Sequence, residues 1–113
     1  MTIVLSLILA AVFLATGLMK TFNSETAQKN ATHLGLATRQ SRLIGVVELA
    51  ASVALVAGLA WPPLTIATAA GTSLLMFGAI GSHLRVRDSI TAMLPALVVL
   101  IGALALLAIS VLQ

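Results

Sequence analysis

Glu48 is the only ionisable side chain inside any of the four long apolar stretches of this sequence. A carboxylate in hydrocarbon is costly unless it is paired, hydrated or protonated, so it marks a functional site by default. Two other groups belong at the same depth: Lys20 ends the first stretch and His83 follows the third. Glu48 lies five residues beyond Leu43, roughly 7 to 8 Å inside the boundary at about 1.5 Å per residue. A long lysine can turn back toward a carboxylate at that depth, and a histidine one helix away can donate to it. The expectation is a polar cluster of Lys20, Glu48 and His83 at the mouth of an apolar interior.

That cluster has two physical readings. In one, the ion pair satisfies Glu48 and fixes the register of three helices. In the other, an acid beside a titratable histidine holds or protonates the polar head of a lipophilic molecule such as a quinone. Spacing alone leaves both open.

The elements that must position these groups follow from composition. Hydrophobic residues make up 60% of the 113 positions and charged residues 8%, with a mean hydropathy of +1.16. So little polar surface cannot coat a soluble globule. The apolar stretches run from about Thr2 to Met19, Leu43 to Trp61, Leu64 to Ser82 and Ser89 to Leu112. Each approaches the roughly 20 residues that a helix needs to cross about 30 Å of hydrocarbon. None alternates polar with apolar residues, as barrel strands do. The fold expected is therefore all-α, a four-helix transmembrane bundle with short connections, and residues 1–113 form one domain. The first stretch reads as an uncleaved span, because no charge precedes it and Lys20 follows it.

On the first helix Ser6, Ala10, Phe13, Gly17 and Lys20 share a face, so Gly17 clears space next to Lys20. On the third span Thr72, Met76, Ala79 and His83 share another. Gly17, Gly45, Gly71 and Gly78 are read as helix-packing positions, since small residues let backbones approach in lipid. The same glycine-bearing faces make a homodimer possible.

All six Lys and Arg residues fall in the first and third connections. The positive-inside rule makes that side cytoplasmic and puts both termini outside. The net charge of +3 is thus an orientation signal and not a nucleic-acid footprint, because no basic stripe with interleaved aromatics is present. Trp61-Pro62-Pro63 reads as a tight turn. In the longer connection, Ala27, Ala31 and Leu34 followed by Gly35 fit a short helix along the membrane surface, the alternative being a solvated loop. Asp88 is placed to cap the fourth span, and Pro95 in its first turns deprives the Thr91 carbonyl of a helical donor.

Several chemistries are excluded by residue type. The chain has no cysteine, which removes thiol relays, thiolate metal sites and iron–sulfur ligation. His33 and His83 sit in different connections and do not make a haem pair, and one Glu48 falls far short of a di-iron carboxylate set. No phosphate loop or nucleophile motif occurs, so no catalytic residue and no metal ligand is assigned.

The run Ala11 to Lys20, then Leu43-Ile44-Gly45-Val46-Val47-Glu48-Leu49-Ala50, then Gly81-Ser82-His83-Leu84-Arg85, with Asp88 and Leu94-Pro95, resembles the DoxX-like family of small four-span membrane proteins. The resemblance covers nearly the whole chain. It implies a site at Lys20, Gly45, Glu48 and His83. The wider DoxX and DoxD group includes a subunit of a thiosulfate:quinone oxidoreductase and members linked to membrane oxidoreductase complexes and oxidative-stress defence; an animal branch assists receptor assembly as a membrane chaperone. What this implies here is a non-catalytic accessory or small-lipophilic-ligand-binding subunit, with a membrane oxidoreductase or another membrane protein as partner; the Ala-rich, cysteine-free composition suggests a bacterium, and hence a bacterial inner membrane. The alternatives it leaves are a quinone-handling oxidoreductase subunit and an assembly chaperone.

Overall fold

Hydrocarbon offers backbone groups no partner, so each apolar stretch must close its hydrogen bonds internally as a helix. The computed structural model describes all residues 1–113 and contains five helices and no strand: α1 Thr2–Thr21, α2 Glu25–Leu34, α3 Thr38–Ala57, α4 Pro62–Arg85 and α5 Ile90–Leu112. Four of them are long and apolar enough to cross a membrane. The longest dimension, 40 Å, fits such a crossing.

The helix ends have local causes. Ser24 caps α2 by accepting from the Ala27 N–H (3.2 Å), and Gly35 closes it in the left-handed conformation with φ 72°. The connection from Thr21 to Arg42 therefore holds a helix, as its alanine spacing suggests. α3 begins a turn before the apolar stretch starts at Leu43, because Arg39 and Arg42 are tolerated at its polar end, and it stops at Ala57. Successive turns then lead to Trp61, and Pro62 opens α4 at a position where its missing N–H costs nothing. Asp88 does not cap α5. Ser89 does, accepting from the Ala92 N–H (3.3 Å), which frees the Asp88 carboxylate for other partners.

Around the bundle, α1 packs on α3 and α4 on α5, while α3–α4 and α1–α5 contacts close the ring. The core is Leu9, Ala10, Phe13, Ala51, Leu55, Ala69, Met76, Leu100 and Leu106, and large apolar side chains such as Val53, Leu74 and Ile101 cover the outside. That inverted surface suits lipid.

The α1–α3 contact is the closest, and glycine is its reason. A Cβ on Gly17 would stand 2.9 Å from the Gly45 carbonyl oxygen, and one on Gly45 would stand 2.7 Å from both Lys20 Cβ and Thr21 N. Only hydrogen fits at either position. The same crossing carries a bond from Ser52 Oγ to the Ala10 carbonyl (2.7 Å). Gly71 and Gly78 differ: nothing lies within 4 Å of where a Cβ would stand, because both sit on the exposed side of α4. Neither packs against another helix of the chain, which corrects the sequence-based expectation for these two.

Candidate functional site

The close α1–α3 crossing brings Lys20 against Glu48. Lys20 lies in the last turn of α1, where a cation also suits the helix dipole, and its ammonium pairs with Glu48 Oε1. Thr16, one turn earlier on the same face, donates from Oγ1 to Glu48 Oε2. The carboxylate is 2% exposed, so both its oxygens are satisfied out of water. Lys20 remains 31% exposed, leaving ammonium protons free to bond elsewhere. Thr16 was not singled out from the sequence, although its i, i+4 relation to Lys20 put it on the right face.

His83 does not bond to Glu48. Its Nδ1 lies 2.6 Å from Asp88 Oδ2, and His33 Nε2 lies 2.6 Å from Asp88 Oδ1. Asp88 thus joins α2 to α4 across a separation of 55 residues. The turn that delivers it is built locally. Arg87 takes the left-handed region (φ 57°), and the Asp88 N–H donates to the His83 carbonyl (3.0 Å). Hydrogen bonds from His83, then from His33, with the attraction of their charges, hold the Asp88 carboxyl below its ordinary pKa of 3.8. An ionised carboxylate only accepts, so Nδ1 of His83 carries the proton and Nε2 is left available.

Two cavities meet at Glu48. One, about 380 Å³, lies among α2, α3 and α4 and includes Ser41, Ile44 and Leu75. The other, about 360 Å³, lies among α1, α2, α4 and α5 and includes Phe13, Thr16, His83 and Pro95. Lys20, Glu48, Met76 and Ala79 line both, and so do Ala27, Asn30 and Leu34 from α2. Lys20, Glu48 and His83 therefore face common space, although only the first two bond one another. Their surroundings are apolar with a few polar groups, the makeup of a small-molecule site. In chemical terms, the arrangement can offer donors to a polar head while side chains such as Met76 and Phe13 surround an apolar body.

No characterised protein and no solved structure matches the chain. A family model does match, over residues 4–108, and that range contains Lys20, Glu48, His83, Asp88 and all but the outermost residues of α1 and α5 among the membrane-spanning helices. With nearly its full length accounted for in this way, the chain belongs to the DoxX-like family and is a multi-pass membrane protein.

Proposed function

We propose that this protein is a non-catalytic accessory subunit that holds the polar head of a small lipophilic molecule at the Lys20–Glu48 pair, in the service of membrane redox or oxidative-stress physiology. The observation that carries the reading is the meeting of two apolar cavities at a buried ion pair whose ammonium keeps free donors. Glu48 cancels the lysine charge, so an uncharged acceptor such as a carbonyl suits the site better than a free anion, which Glu48 would repel. A quinone head meets that description. Lipid between the helices is the natural route of entry for the apolar tail.

A second reading, a quinone-handling subunit of an oxidoreductase, draws on His83, which lines one of the two cavities and keeps a ring nitrogen outside its bond to Asp88. The chain has no cysteine to ligate an iron–sulfur centre, and this reading places the electron source on a partner.

Native mass spectrometry of protein extracted from its own membrane, wild type against Glu48→Gln, tests the first reading. A lipophilic species bound to wild type and lost from a variant with unchanged helix content supports it. A wild-type protein that is empty, or that carries the same species whether or not Glu48 is present, refutes it.

A further inference from the structure

We infer that α2 is a gate over the Glu48 cavities, hinged at Asn23 and Gly35 and latched by the His33–Asp88–His83 bridge. Ala27, Asn30 and Leu34 line both cavities, so this helix is the wall that the two share at the charged end of the bundle. Removing it would open both at that end at once.

The way α2 is fastened differs from the way the spans are fastened. It has ten residues, too few for a helix that is stable by itself in water. Its buried side chains are Ala27 and Ala31, which offer little apolar area to hold it down. Along one side it is continuous with α1 and α3 through short connections. Asn23 (φ 53°) and Gly35 (φ 72°) both adopt the left-handed region there, bending the chain sharply at each end. On the side facing α4 and α5 it is held by polar bonds. His33 bonds Asp88, and Arg85 Nη2 donates to the Leu34 carbonyl (2.8 Å). His33 is 58% exposed, so water competes for the latch far more than for the 2% exposed Glu48.

Asp88 itself is pinned. His83 holds its other oxygen and the turn through Arg87 fixes its backbone, so the movable partner is His33 on α2. A hinged, weakly packed helix tied at one edge by exposed polar bonds is built to lift. The gate serves the binding site proposed above, but its test uses no ligand, so either idea can fail without the other.

The cysteine-free sequence makes that test direct. Ala79→Cys places a thiol on the wall of both cavities, and Gln28→Cys places one on the exposed side of α2. In lipid nanodiscs both membrane faces are open to a charged, water-soluble thiol reagent, while lipid blocks lateral entry. With the latch intact, Ala79→Cys should label at least about tenfold more slowly than Gln28→Cys. Adding His33→Ala should raise its rate by about tenfold, the population change expected from one charge-assisted hydrogen bond. Arg85→Gln, which loses the bond to the Leu34 carbonyl, should act in the same direction and keeps the test decisive if His33→Ala lowers helix content. Equal Ala79→Cys rates with and without the latch overturn the gate, and so does rapid labelling of Ala79→Cys alone.

Discussion

Replacing Lys20 and Glu48 by methionine, singly and together, separates a coupled ion pair from two independent side chains. Lys20→Met leaves the Glu48 carboxylate 2% exposed with Thr16 as its one donor. Breaking a buried pair in this way costs about 3 to 5 kcal/mol. Lys20 is 31% exposed and the cavities reach Glu48, so water relieves part of the cost and about 3 kcal/mol is expected. Glu48→Met is milder, about 1.5 kcal/mol, because the freed ammonium can turn outward to water along its flexible stem. The double variant buries no unpaired charge and should cost about 1 kcal/mol or less. The coupling is then about 3.5 kcal/mol or more, roughly two and a half factors of ten in the unfolding constant. Unfolding in mixed micelles with increasing denaturing detergent, followed by helical circular dichroism, measures all three. A double variant whose cost equals the sum of the singles would refute the reasoning, because the two groups would then not act as a pair.

Three further outcomes follow from the geometry. Gly45→Ala sets a Cβ 2.7 Å from Lys20 Cβ and Thr21 N and should cost about 2 kcal/mol by forcing α1 from α3, whereas Gly71→Ala meets open space and should be neutral or gain up to about 1 kcal/mol of helix propensity. Equal effects in the micelle assay would contradict that contrast. Thr16→Val keeps the shape but removes a donor from Glu48 and should cost about 1 kcal/mol, read in the same titration. The depressed pKa of Asp88 means that its ionised form stabilises the fold above the ordinary carboxylate range, and that this support is lost as pH falls through the lowered value. Melting temperatures of wild type and Asp88→Asn should therefore differ near pH 6 and converge toward pH 3; a gap that stays constant would contradict the assignment.

The fold was legible because lipid leaves so few choices. Long uncharged runs must be helices, and Trp61-Pro62-Pro63 and Gly35 mark their ends by backbone chemistry that needs no tertiary knowledge. The face Ser6, Ala10, Phe13, Gly17 could be read from spacing and is the buried face of α1. What spacing cannot give is the neighbour that each face meets. His83 lies at a depth suited to Glu48, yet Asp88, five residues on, reaches it first through a local turn. His33 joins the same carboxylate only because α2 folds over the bundle end. Gly71 and Gly78 have the spacing of packing residues, but both are exposed on α4, Gly78 at the edge of the cavity beside α3, and neither meets another helix. The ring order of the helices, absent from any single helix's pattern, decides each of these.

The glycine crossing of α1 and α3 also makes the buried charge self-contained. These helices are not adjacent in sequence, since α2 intervenes, and α3 is the least apolar of the four spans as well as the one that carries Glu48. Both partners of its carboxylate, Lys20 and Thr16, lie on α1, so the charge of α3 is matched entirely within the first three helices. The segment from Thr2 to Ala57 thus carries its buried charge and both of that charge's partners without help from α4 or α5. The α4–α5 hairpin supplies Met76, Ala79, His83 and Asp88. A chain ending before Pro62 would hold both partners of the ion pair and only part of the chamber's wall.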